Sequence, residues 1–204
     1  MKSQLLMVLV LAVQAWAACP SYSVVESLDA EKFAGMWYQY GSYGKFFVKG
    51  WDRCVKSDYE LGDDKKTFTI KNSRIVNKID KPIESTWVAV ASDPADGKLS
   101  LDFKVPILGK MSTTLNVLDT DYNSYAVLAV CKQLGFIRFR SAWLFTRKST
   151  LSEEEENTIS TAVEPVLKKS GFDRSKFALT SQQDCDNPSD ILQHLDKVAD
   201  IIKG

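Results

Sequence analysis

Lys98-Leu99-Ser100-Leu101-Asp102-Phe103-Lys104-Val105 alternates polar and apolar residues without a break. A period of two sends successive side chains to opposite faces, so this stretch predicts a strand with one face packed and the other wet. Upstream, Thr67-Phe68-Thr69-Ile70-Lys71 alternates in the same way. Downstream, Thr114–Leu118, Tyr125–Val130 and Arg138–Phe145 continue the pattern. Turn signals separate these runs at Gly62-Asp63-Asp64, Asp93–Gly97 and Asp119-Thr120-Asp121. From about Phe33 to Arg147 no helical period interrupts the series. Short strands joined by turns, with no helices between them, predict a sandwich or a closed up-and-down barrel.

A helix is predicted after the strands, over about residues 152–170. Ser152 and Glu155 have the spacing of a capping box, and the acidic run Glu153–Glu156 suits the positive end of a helix dipole. Ile159, Ala162, Val163, Val166 and Leu167 form one apolar stripe, Pro165 is expected to kink it, and Gly171 stands where a helix ends. The acidic run lacks the alternating ligands and the turn glycine of a calcium loop.

The 204 residues carry 26 Lys+Arg against 26 Asp+Glu, with 45% hydrophobic and 25% charged residues. That composition predicts a folded globular chain, and zero net charge argues against a nucleic-acid partner or a polybasic membrane anchor. Aromatics make up 11%, with five Trp, and so much ring surface must be buried or must line something.

Residues 1–17 have the form of a secretory signal peptide: a basic start at Lys2, an apolar run from Leu5 to Val13, and Ala15-Trp16-Ala17 as the cleavage site. The apolar run is too short to span a bilayer, and no later run approaches the length of a transmembrane segment. Secretion makes Cys19, Cys54, Cys131 and Cys185 an even disulfide set, with three pairings open. Their wide spacing gives no CxxC metal or redox pair, so no metal site is expected. The single histidine, His194, lies in a C-terminal amphipathic stretch and reads as a helix-surface residue, which leaves no Ser–His–Asp or zinc arrangement.

Three short motifs occur in order. Gly35-Met36-Trp37-Tyr38 follows a brief helical segment at Asp29–Phe33; Thr120-Asp121-Tyr122 precedes Tyr125-Ala126; Arg147 follows Trp143-Leu144-Phe145-Thr146. This set resembles the G-x-W, T-D-Y and arginine motifs of the lipocalin family. With the four cysteines it resembles most the apolipoprotein D and insect bilin-binding (insecticyanin-like) branch. The resemblance covers about residues 19 to 185. It implies an eight-stranded antiparallel β-barrel over residues 18–186 with one C-terminal helix; the sequence departs from the family's pattern after Cys185, and residues 187–204 read as an extra amphipathic helical extension. It also implies the disulfides Cys19–Cys131 and Cys54–Cys185.

A barrel of eight strands leaves room for one small ligand once one end is shut. Trp37 is expected to form that floor with Arg147 stacked on its ring, Gly35 to allow close approach, and Asp121 to hold a turn at the closed end. Gly35, Trp37, Thr120, Asp121, Tyr122 and Arg147 are therefore structural. If Arg147 points inward, parity brings Phe145, Trp143, Ser141 and Phe139 inward along one strand. An outward Cys131 brings Val130, Leu128 and Ala126 inward on the strand before it, with Lys132 near the rim. The resemblance adds Asn72 and Arg74, Ile83, and Phe103 and Val105 as cavity residues. The segment from Tyr43 to Trp51, with Phe46 and Phe47, is expected at the mouth.

The function that follows is a secreted carrier of a small hydrophobic molecule, with a tetrapyrrole pigment such as biliverdin as the first candidate and Arg74 and Lys132 set to meet its propionates. A retinoid, carotenoid or fatty acid is the alternative cargo, and an enzymatic or host-interacting lipocalin is the alternative class. No catalytic residue, catalytic cofactor or metal is expected. Ile191, Leu192, Leu195, Val198, Ile201 and Ile202 line one face of the C-terminal extension, which packs on the barrel or supports self-association.

Overall fold

The computed structural model describes residues 19–44, 52–92, 96–105, 109–134 and 137–185. Eight strands follow one another up and down: β1 (Gly35–Tyr43), β2 (Asp52–Leu61), β3 (Thr67–Val76), β4 (Lys81–Ala91), β5 (Lys98–Val105), β6 (Gly109–Thr120), β7 (Tyr125–Leu134) and β8 (Ile137–Thr146). Each strand pairs antiparallel with the next, and β1 pairs with both β2 and β8. The sheet therefore closes into an eight-stranded barrel rather than a sandwich, and closure removes the free edges that an open sheet must protect.

Several strands outrun their clearest alternation. β3 continues past Lys71 to Val76, where Asn72, Ser73 and Arg74 blur the apolar signal while the ladder to β4 stays in register. Asp119 and Thr120, read as a turn, belong to β6, and the turn begins at Asp121. The Thr120 hydroxyl donates to the Tyr125 carbonyl at 2.7 Å and accepts from the Tyr122 N–H at 2.9 Å, so it closes the ladder beneath the loop.

Alternation divides the apolar residues between two cores. Inside the barrel, Phe33, Trp37, Tyr59, Phe68, Ile70, Leu99, Val117 and Leu128 pack as one cluster. Outside it, Ile159, Val163 and Leu167 of helix α2 (Glu153–Lys169) cover Leu118, Val127, Ala129, Ala142 and Leu144 on the outer face of β6–β8. Each such side chain contributes roughly 1.5–3 kcal/mol when fully buried. Both halves of the capping box are made, from the Glu155 N–H to Ser152 Oγ and from the Ser152 N–H to Glu155 Oε2. The helix continues through Pro165 to Lys169 and closes on Gly171, with Phe172 N–H donating to the Leu167 carbonyl in a Schellman arrangement. A one-turn helix, α1 (Ala30–Phe33), leads into β1 with Asp29 as its cap.

The disulfides join Cys19 to Cys131 on β7 and Cys54 on β2 to Cys185. Between α2 and Cys185 the chain returns to the barrel wall. Its two-residue strand β9 (Ala178–Leu179) pairs with β1. Direct pairing of β1 with β2 ends at Tyr38 and Lys56. Beyond that point Cys54 N–H donates to the Ser181 carbonyl, and the Gln182 amide donates to the carbonyls of Gln39 and Val55, so residues 178–182 seal the upper seam. The expected signal peptide, residues 1–17, and the expected helical extension, 187–204, lie outside the described residues.

Candidate ligand cavity and its floor

The closed end is built around one cation. The Arg147 guanidinium carbon sits 3.6 Å from the centroid of the Trp37 ring, and Trp37 is completely buried. Around the ring's rim the same guanidinium donates to four carbonyls: Nε to Tyr122 at 2.9 Å, Nη1 to Met36 at 2.9 Å, and Nη2 to Lys32 at 2.7 Å and Phe33 at 3.4 Å. Trp37 Nε1 donates to the Phe33 carbonyl at 2.9 Å, so the indole leaves no polar atom unpaired. Gly35 has φ +93°, a left-handed conformation, and a Cβ there would touch Arg147 Nη1.

The loop from β6 to β7 locks this assembly. One Asp121 carboxylate oxygen accepts from the N–H groups of Asn123, Ser124 and Tyr125 at 3.1, 2.7 and 2.9 Å. Burial raises the Asp121 carboxyl, and these donors outweigh it, so its pKa falls below the usual carboxylate value. Burial lowers the Arg147 pKa, and the charge of Asp121 opposes that shift. Tyr122 takes φ +66°, and its hydroxyl accepts from the Asp29 N–H that starts α1. The three motifs thus meet at one end of the barrel and shut it.

The other end is open, and the inner face itself shows it. Along β3 the inward residues run from Phe68 and Ile70, both buried, to Asn72 and Arg74, both partly exposed. Along β4 they run from a buried Ala89 through a half-buried Trp87 to Ile83, which is 39% exposed. An apolar side chain that points into a barrel yet meets solvent marks a mouth.

The expected cavity residues that fall within the described residues each have a definite place. Phe139, Ser141 and Trp143 share the inner parity of β8 with the core residue Phe145, and Val130 and Lys132 share that of β7 with the core residue Leu128. Phe103 packs on Trp87 with ring centroids 5.4 Å apart. Asn72 lies opposite Ser57, whose hydroxyl donates to Asn72 Oδ1 at 2.7 Å. Arg74 forms an ion pair with Asp52 at 3.3 Å, and Lys132 Nζ donates to the Ser112 carbonyl at 2.9 Å. Val105 ends β5 at the mouth. Phe46, Phe47 and Trp51 lie outside the described residues.

Ser141 stands out chemically. Its hydroxyl is fully buried and has no hydrogen-bond partner among the described residues. Gly44 lies beside it with φ +119°, where a Cβ would come within 2.6 Å of Ser141 Oγ. Only glycine lets the backbone pass this close to the hydroxyl and to the Arg140 carbonyl.

Some inward residues escaped the sequence reading, Trp87 and Ser57 among them. Trp87 and Ser57 continue the alternation of β4 from Ile83 and of β2 from Tyr59, so period two extended along those strands would have found them. One residue faces the other way. Tyr43, expected at the mouth, packs outside the barrel against Phe172 and Phe177, with centroids 5.2 and 5.7 Å apart. A register shift between Gln39 and Gly41 in the β1–β8 ladder reverses the parity of the end of β1.

Comparison with known proteins agrees with this architecture. A family model described as a lipocalin-like domain matches residues 28–182. Apolipoprotein D of Macaca fascicularis is 26% identical over 169 residues, covering 82% of this chain and 84% of the relative. The Lazarillo protein of Schistocerca americana is 26% identical over 169 residues, covering 80% of this chain and 74% of that one. Among solved structures, insecticyanin from the tobacco hornworm Manduca sexta superposes with a TM-score of 0.67 at 21% identity, over 82% of this chain and 88% of its own. Lobster apocrustacyanin A1 superposes with a TM-score of 0.60 at 22% identity, over 81% and 93%. With the three motifs gathered at a closed floor and a family model spanning most of the barrel, the chain belongs to the lipocalin family, beside the apolipoprotein D branch.

Proposed function

We propose that this protein is a secreted, non-catalytic carrier of one small hydrophobic molecule held in the barrel, with a tetrapyrrole such as biliverdin as the first ligand to test. The observation that carries the reading is the inner wall of the mouth half, where Phe103, Trp87 and Trp143 offer ring surface around an unpartnered buried hydroxyl on Ser141. Flat apolar walls with few polar groups suit an extended conjugated molecule, and an orphaned hydroxyl is relieved by a ligand's polar atom. The N-terminal sequence and two disulfides support secretion. Both disulfides together use all four thiols, which leaves no thiolate nucleophile.

One observation favours a neutral cargo as the second reading. Arg74 is paired with Asp52 and Lys132 rests on the Ser112 carbonyl, so propionates would have to displace existing partners. A retinoid or carotenoid needs neither cation. Titration of ligand-free protein with biliverdin, retinol and a fatty acid, following Trp quenching and induced circular dichroism, separates these readings. Saturable biliverdin binding that weakens in Arg74→Ala with Lys132→Ala supports the pigment. Binding of retinol alone, unaffected by those substitutions, selects the neutral cargo, and binding of none overturns the carrier reading.

A further inference from the structure

Although the chain has no net charge, the barrel separates its charges along its axis. The strand ends and connections at the mouth carry Lys78, Lys81, Lys104, Lys110, Lys132 and Arg138. The carboxylates at the same end are largely spent: Asp52 pairs with Arg74, Asp80 with Arg53 and Asp102 with Lys110, which leaves Glu84 and, beside the Cys54–Cys185 disulfide, Asp184. Lys78, Lys81 and Lys104 make no ion pair among the described residues. Acidic side chains predominate at the closed end, with Asp63 and Asp64 between β2 and β3, Asp121 in the β6–β7 loop, and Glu153–Glu156 where α2 begins beside Lys148.

Lys104 and Lys110 are direct cross-strand partners on the outer face. Like charges set opposite each other destabilise a sheet unless an anion lies near. Lys110 has Asp102 at 3.0 Å, and Lys104 has no such relief. The same rim exposes large apolar side chains. Ile79 is 45% exposed in the β3–β4 connection and Ile137 is 60% exposed at the start of β8, with Lys78 and Arg138 as their immediate neighbours in the chain.

Exposed aliphatic tips flanked by long cations match the interface of an anionic bilayer, where the apolar group enters the headgroup layer and the cation remains among the phosphates. We infer that the open end of this barrel docks on an anionic lipid surface, mouth toward the membrane. A charge-separated molecule of zero net charge is oriented by such a surface before contact, with the acidic closed end turned away. Docked in this way, a cavity faces the bilayer and cargo passes without crossing bulk water. The docking surface is independent of which ligand the cavity takes.

The test uses the full mature chain with intact disulfides and vesicles of phosphatidylcholine alone or with about a third phosphatidylserine. The expected result is co-sedimentation with the phosphatidylserine vesicles only, lost at high salt. Lys78→Glu with Lys104→Glu is expected to weaken partitioning by at least about tenfold. Ile137→Ser is expected to weaken it several-fold. Lys65→Glu with Lys66→Glu, at the closed end, is expected to leave it unchanged. Near-ultraviolet circular dichroism checks the fold of each variant, and the salt titration of the unmutated chain stands even if a variant misfolds. Equal binding to both vesicle types, no dependence on salt, or equal losses from mouth and closed-end variants overturns the inference. Binding to soluble polyglutamate without binding to vesicles also overturns it, in favour of an acidic protein partner.

Discussion

The guanidinium of Arg147, on the segment after β8, lies flat against the indole of Trp37 at the start of β1, 3.6 Å from the ring centroid and 110 residues away in the chain. Cation, ring and four backbone carbonyls form one unit that closes the barrel. Because the cation is partly desolvated, its contact with the ring is stronger than an exposed pair, on the order of 2 kcal/mol.

Trp37→Ala is expected to cost roughly 3–5 kcal/mol, the usual loss for truncating a buried aromatic, and to uncover Arg147 as well. Chemical unfolding monitored by circular dichroism reads this directly. A midpoint equal to that of the parent chain would show that the floor is built from other residues.

Arg147→Lys is expected to destabilise nearly as much, although the charge is kept. An ammonium cannot serve four divergent carbonyls and stack on a ring at once. The carbonyls of Tyr122, Met36 and Lys32 then lose their shared donor, at roughly 1–3 kcal/mol for each one left buried and unpaired. A double-mutant cycle with Trp37→Ala is expected to give non-additive losses, whereas strict additivity would separate the two residues.

Acid is expected to loosen the closed end. The folded-state pKa of Asp121 is depressed, so its contribution is fully present above the unfolded value of about 3.9 and is lost as pH falls through the lower folded value. Asp64 and Glu155 are both lowered to about 2 and titrate in the same region. The melting temperature is therefore expected to fall below about pH 4, and more gently in Asp121→Asn, which has no proton to gain. Parallel acid limbs in the two proteins would remove Asp121 from the account.

Ser141→Ala is expected to hold or raise the stability of the ligand-free protein, by up to about 1 kcal/mol, because it deletes a buried hydroxyl that has no partner. If that hydroxyl serves the ligand, the same substitution weakens binding by about fivefold to tenfold. Calorimetric unfolding and ligand titration on one preparation measure both. Lower stability with unchanged binding would make Ser141 an ordinary packing residue.

Much of this protein was legible without coordinates, because the signals involved are local. Period two over Lys98–Val105 forces a strand wherever the segment sits, and Ser152 with Glu155 makes a capping box from four consecutive residues. Ordered motifs pointed to the family, and their roles at the floor follow from what a ring, a guanidinium and a glycine can do. The tertiary structure decided what depends on pairing over distance. One register shift between Gln39 and Gly41 turns Tyr43 out of the barrel, since inner and outer faces differ by a single residue and parity cannot be carried across a bulge. That Arg74 answers Asp52, that Ser141 is left without a partner beside Gly44, and that cations scattered over three connections gather at one rim are all consequences of closure. A sum of charges along a chain is blind to position. Only the closed barrel converts a net of zero into two ends of opposite sign.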